Sequence, residues 1–325
     1  MMTFEIASMI ELASFAGAGL CIGLGAIGAA LGEGYTAGLA NEALSSRPEK
    51  SGEILKNMLV GQAVAESAAI FALVIAILLI FLEPPAESIL TASALLGAGL
   101  CMGFGAIGSG VGAGYPGGEA CLGIARQPSV TPRLTTNMLI GSAVCQTPAI
   151  FSMVVALMLM FMDFGSLPVS PTWAAFLGAG LSTGLAAIGS GLGGGFAAGA
   201  SCGGIARNPG TFSQVTTTML IGQAVAQTPA IFGLLISFVL MFKAFPAYSG
   251  LSVPMALLGA GICMGFGGIG PGIGNGLTAQ SAVKWVARNE NASGDLTRTM
   301  LVGQAVSQST AIYAMVISLV LIFVV

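Results

Sequence analysis

The 325 residues have a mean hydropathy of +0.93, with 7% charged residues and no histidine. That composition excludes an ordinary water-soluble domain and reads as an integral membrane protein. The net charge of −3 gives no sign of a nucleic-acid partner.

The chain opens on MMTFEIASMIE, which has acids where a secretory leader has bases. No cleavage-like site precedes the first apolar stretch, so no removable signal peptide is expected. A Gly-rich stretch over 12–41, charge-free except for Glu33, leads to a bulkier one from Asn57 to Leu82 whose only charge is Glu66. The pattern recurs, with Gly-rich stretches within 88–118, 164–206 and 244–283 followed by uncharged ones at 134–162, 208–242 and 299–325. Each can cross about 30 Å of hydrocarbon as a helix. The expected fold is all-α, with eight transmembrane helices in four tandem hairpins over 1–85, 86–167, 168–248 and 249–325. Pro148, Pro229 and Pro271 are expected to interrupt their spans.

The four hairpins are copies of one another. Met58–Phe71, Met138–Phe151, Met219–Phe232 and Met300–Tyr313 align without gaps at intervals of 80, 81 and 81 residues. One column of that alignment holds Glu66, Gln146, Gln227 and Gln308, so a single ionisable group serves four repeats. The first helix of each hairpin is a glycine ladder: GAGLCIGLGAIGAALGEG at 17–34, with counterparts at 97–114, 178–195 and 259–276. In lipid such helices stay hydrogen-bonded and approach one another closely. A phosphate cradle is a poor reading of these glycines, because no GxxxxGK[ST] occurs and no basic residue lies among them. Gly-rich helices followed by bulkier ones suggest a two-layered ring with small residues lining the inner circle. The free faces of repeats 1 and 4 would be completed by other copies of the chain.

Nine of the ten Lys and Arg lie in or beside the loops inside the hairpins, and only Lys243 lies on the other side. The hairpin loops are therefore expected to face the cytoplasm. Both termini and the connectors Glu83–Glu87, Asp163–Pro171 and Lys243–Pro254 are expected to face outward. The six cysteines fall in apolar spans without metal-like spacing and read as small packing residues. Cys21, Cys101 and Cys263 share a column with Ser182.

Glu66 lies near the middle of its span. A charged, unpaired carboxylate there costs several kcal/mol, so it must be protonated, ion-bound or paired, and such positions are functional by default. Gln has nearly the shape of protonated Glu but cannot titrate. Gln146, Gln227 and Gln308 would then deliver no ion.

These residues resemble the rotor-ring proteolipid, or c subunit, of rotary ATP synthases and ATPases. The resemblance runs through the glycine ladder, the polar loops (Ala125-Arg126-Gln127-Pro128 and Ala206-Arg207-Asn208-Pro209) and the GQAxAES-type second helix. It implies a c-ring built from copies of the chain in lipid, with no catalytic residue of its own. It further implies a stator subunit bearing an essential arginine, central-stalk subunits at the loops, and transport of H⁺ or Na⁺ by the carboxylate of the second helix. The loops of repeats 1 and 4 depart from the pattern, reading Ser45-Ser46-Arg47-Pro48 and Arg288-Asn289-Glu290. Loops 2 and 3 tilt toward an F-type lineage, while the amplified and partly disabled repeats resemble V-type rings.

In Na⁺-binding relatives the inner-helix position of Glu33 supplies a polar ligand, and Ala113, Gly194 and Asn275 hold that position in the other repeats. Two such acids would not normally both ionise, so one is expected to hold a proton while the other meets Na⁺. The resemblance places the remaining oxygens on the preceding hairpin, which for repeat 1 is repeat 4 of another copy: the Val306 carbonyl, Ser309, Thr310 and Tyr313. A competing geometry takes the donor from repeat 2, where Pro148 leaves the Val144 carbonyl without its helical partner and Thr147 adds a hydroxyl. The expectation is one Na⁺ site per chain, with a proton-coupled ring as the alternative. One carrier per four hairpins also implies a low ion-to-ATP ratio, suited to an ATP-driven pump. A repeat-built secondary transporter is the competing class, but the polar groups follow one column instead of converging as a transporter site requires. A purely structural proteolipid would leave the paired acids unexplained.

Overall fold

The computed structural model describes residues 6–83, 88–164 and 166–324. Most of the connector expected at 83–87 lies outside these residues, as do the chain ends at 1–5 and 325. The first hairpin pairs α1 (Ile6–Ser46) with α2 (Ser51–Phe81). The second pairs α3 (Ile89–Arg126) with a broken span, α4 (Thr131–Cys145) and α5 (Thr147–Phe161). The third joins α6 (Val169–Arg207) to α7 (Phe212–Phe242), and the fourth α8 (Ser252–Val286) to α9 (Ser293–Val324). Eight spans are long and apolar enough to cross a membrane.

At each loop the chain turns through one short 3-10 segment. Three of the four start on a proline, Pro48, Pro128 and Pro209, whose fixed φ and missing N–H suit the first position of a helix. The helices outrun the apolar stretches at this end: α1 continues to Ser46, five residues past the stretch read from sequence, through good helix formers such as Glu42, Ala43 and Leu44.

The helices form two layers. The inner helices α1, α3, α6 and α8 stand side by side in that order, and the outer helices cover one side of the row. Helix α2 lies in the groove between α1 and α3, α4 and α5 between α3 and α6, and α7 between α6 and α8, while α9 packs mainly on α8. The outer helices of the first three hairpins therefore also touch the inner helix of the following hairpin. Helices α1 and α9 close opposite ends of the array.

Glycine makes the inner row possible. Gly99 rests on the backbone of Gly17, Gly180 on Gly97 and Gly261 on Gly178, so closely that a Cβ at any of them would overlap the neighbouring chain. This corrects the expectation that small residues line the inner circle. They lie sideways, between inner helices. The partly exposed stripe of α3 is bulky instead: Leu96, Leu100, Phe104, Ile107, Val111 and Tyr115.

The prolines act differently from the expectation too. Helix α7 runs unbroken through Pro229 and α8 through Pro271; only the span containing Pro148 breaks, at Gln146. The N–H following each of the outer-helix prolines Pro148 and Pro229 is held by an inner-helix hydroxyl, Ala149 to Ser109 Oγ at 3.1 Å and Ala230 to Ser190 Oγ at 3.2 Å. A free N–H in lipid would be costly, and the serines remove that cost.

The cysteine column has a similar task. Cys21, Cys101 and Cys263 donate their thiols to the carbonyls of Ala72, Ser152 and Ala314, and Ser182 donates its hydroxyl to Gly233. One small donor thus ties the inner helix to the outer in every hairpin, which explains why serine can stand among cysteines. Nearer the loops, Thr135 donates to Asn57 at 3.0 Å and Thr216 to Asn137 at 2.8 Å, linking successive outer helices.

Candidate ion-binding site

Glu66 sits on α2 one helical turn after Gln62, so both side chains leave the same face. Gln62 Nε2 donates to the backbone carbonyl of Glu33 on α1 at 3.3 Å, which fixes the two helices of hairpin 1 at this depth. The carboxylates of Glu33 and Glu66 lie near enough for their charges to interact. Neither makes a side-chain hydrogen bond to another described residue. Glu66 is exposed in the single chain, at the free edge beside α1.

The same positions in the other hairpins show what this place in the fold does when its neighbour is present. The residue one turn before the column always meets its own inner helix: Ser142 the carbonyl of Ala113, Gln223 that of Gly194 and Gln304 that of Asn275, at 3.0–3.1 Å. Gln223 and Gln304 also reach back to the preceding outer helix, at the carbonyls of Gly141 and Gly222. This column escapes the sequence reading, although the Gln of the GQAxA motif in three repeats is a usable signal.

The column itself crosses the seam between hairpins. Gln146 Nε2 donates to the Val64 carbonyl at 2.8 Å, and Gln227 Nε2 to the Val144 carbonyl at 3.2 Å. At the third seam the donor is Asn275, in the column of Glu33, which reaches the Val225 carbonyl at 3.4 Å and also holds Gln308 Oε1 at 2.7 Å. In every internal seam the acceptor is therefore the valine two residues before the column in the preceding hairpin. Gln146 and Gln227 are 7% and 6% exposed, and their Oε1 atoms are buried without a donor.

The equivalent valine for Glu66 is Val306, at the far end of the array. It is 70% exposed and Tyr313 is 65% exposed, while Thr310 is also open and Ser309 is partly covered. Ser309 Oγ turns back to the Val306 carbonyl at 2.7 Å, and Thr310 Oγ1 to Ser307 at 3.1 Å. Within one chain these four residues do not meet Glu33 or Glu66, because neither α1 nor α2 packs extensively on α8 or α9. The competing donor is engaged elsewhere: the Val144 carbonyl accepts Gln227.

Both ends of the inner row carry glycines without neighbours. Gly19, Gly23 and Gly34 on α1 have nothing within 4 Å, although their counterparts at 99, 103 and 114 press on the preceding inner helix. On α8, Gly270 likewise has nothing within 4 Å, while its counterparts Gly108 and Gly189 are in tight contact with the following inner helix. Among the described residues, no three His, Cys, Asp or Glu side chains gather as they would around a tightly held metal.

Comparison with known proteins identifies the family. The sequence pattern of the ATP synthase C-subunit family matches residues 16–79, 96–159, 177–240 and 258–321, one match for each hairpin. The chain is 34% identical over 199 residues to the K subunit of the A-type ATP synthase of Methanocaldococcus jannaschii, covering 61% of this chain and 83% of that one. A single hairpin matches the ATP synthase c subunit of Alkaliphilus oremlandii, 47% identical over 73 residues, covering 22% of this chain and 82% of the relative. The ATP synthase c subunit of Geotalea uraniireducens is 49% identical over 69 residues, covering 21% of this chain and 76% of that protein. With a family match in each of its four hairpins, the chain belongs to the ATP synthase C-subunit family, as a membrane rotor proteolipid in which the family's hairpin is fused four times.

Proposed function

We propose that copies of this chain close into a ring and that each chain carries one ion, at a site assembled across the seam between two copies. Glu66 and Glu33 supply the charge. The Val306 carbonyl, Ser309, Thr310 and Tyr313 of the preceding copy supply neutral oxygens. The observation that carries this reading is the repeated seam bond, in which a side-chain amide, of Gln146, Gln227 or Asn275, meets the preceding valine carbonyl. Continuing the pattern past the end of the chain sets Glu66 against Val306. The uncontacted glycines of α1 and α8 support the same closure.

Na⁺ is the preferred cargo. Two carboxylates sharing one proton carry a single negative charge, which balances one monovalent cation, and the neutral oxygens complete its shell. A proton needs fewer partners. Protonated Glu66 would donate to Val306 as Gln146 donates to Val64, and this is the basis of the proton alternative.

As the ring turns, Glu66 loads and unloads against a stator arginine, and the loops meet the central stalk on the cytoplasmic side. With three hairpins in four carrying amides, fewer ions pass per turn, so each ATP supplies more free energy per ion, as suits a pump. Labelling Glu66 with a hydrophobic carbodiimide at raised pH tests the cargo. Protection by Na⁺ is expected, and labelling that ignores Na⁺ would assign the site to protons.

A further inference from the structure

The loop end of the inner row carries an uneven set of charges. Four aligned positions there hold Glu42 on α1, Leu122 on α3, Gly203 on α6 and Lys284 on α8. They lie two helical turns beyond Tyr35, Tyr115, Phe196 and Leu277, on the same stripe of each helix. Along that stripe, aligned side chains of neighbouring inner helices meet: the Tyr35 and Tyr115 rings lie 4.7 Å apart, and those of Tyr115 and Phe196 5.0 Å apart. The acid therefore stands at one free edge of the array and the base at the other.

Glu42 and Lys284 are exposed and form no ion pair among the described residues, where the ion pairs found are Arg47 with Glu49 and Lys50 with Glu53. Lys284 shares a cavity of about 330 Å³ with Arg126, Arg207, Arg288 and a single acid, Glu119. That cavity holds a surplus of positive charge. Glu119 reaches the aligned position of the next helix, close to Gly203, which shows that a glutamate on this stripe spans the gap between adjacent inner helices.

We infer that Glu42 of one copy pairs with Lys284 of the copy before it, so that each seam of the ring is latched at its loop end by a salt bridge that the three internal seams lack. This rests on the proposed ring and adds a register device to it. An exposed ion pair is weak alone, but this one recurs at every seam between chains and opposes reversed or slipped docking through like-charge contacts.

A charge-swap series on the full chain, purified in detergent and sized by native mass spectrometry, tests the latch. Glu42→Lys and Lys284→Glu should each lower the recovery of closed rings severalfold, and the double swap should restore it. Circular dichroism on each variant checks that helix content is retained, and the milder Glu42→Gln should fall between wild type and Glu42→Lys. Single swaps that assemble like wild type, or a double swap no better than the singles, would overturn the latch while leaving the ring intact. A wild-type chain that never closes would remove the ring reading and the latch together.

Discussion

Gln146 donates its side-chain amide to the backbone carbonyl of Val64 at 2.8 Å, joining the second hairpin to the first. Glu66 occupies the equivalent position in the first described hairpin, where it is exposed at the edge of the array. In the proposed ring, the fixed neutral bond between hairpins of one chain gives way to a titratable one at the seam between copies. Acid replaces amide where the seam lies open.

Glu66→Gln should abolish ion transport and carbodiimide labelling while leaving assembly intact, because the amide reproduces the seam bond already made by Gln146 and Gln227. Transport by the reconstituted enzyme and the size of the purified assembly are the two readouts. Residual transport would show a carrier elsewhere.

The reverse change, Gln146→Glu, should create a second labelled carboxylate that Na⁺ protects poorly. Its seam offers Ser67 and Phe71 where repeat 4 offers Ser309 and Tyr313, and Ala113 stands in the place of Glu33. Labelling of both sites across a range of Na⁺ concentrations checks this.

Ser309→Ala and Tyr313→Phe should each raise the Na⁺ concentration needed to protect Glu66, by up to about tenfold for a lost interaction of about 1.4 kcal/mol. Both side chains are uncovered or partly covered in the single chain, so helix content and thermal stability of unassembled protein should not change. A stability loss without a shift in protection would assign them a structural role.

Glycine substitutions separate folding from assembly. Gly99→Leu forces a side chain into the backbone of Gly17 and should destabilise the folded chain by more than the about 1–3 kcal/mol of ordinary overpacking. Gly19→Leu, at the aligned position of α1 with nothing within 4 Å, should leave the chain folded and block ring closure. Thermal unfolding and native mass spectrometry of the two variants would distinguish these effects.

Much of this architecture was legible in the sequence, because its two strongest signals are local. Apolar length sets the spans, and the alignment of Met58–Phe71 with its three copies exposes the column of Glu66. What stayed hidden depends on how one helix is turned against another. The inner stripe from Leu96 to Tyr115 could be assigned only once the neighbours of α3 were known. The seam acceptor is a backbone oxygen, which no residue type announces. Pro229 and Pro148 look alike in sequence, and both following N–H groups find a serine, yet only the span containing Pro148 breaks. Nothing in the structure explains that difference.

The proposed function stands or falls on one ion being carried by each chain and not by each hairpin. Two counts on the coupled enzyme decide it: ions moved per rotation, and chains per ring by native mass spectrometry. Their expected ratio is one ion per chain. A ratio of four, one ion for every hairpin, would refute the proposal and would mean that Gln146, Gln227 and Gln308 take part in transport.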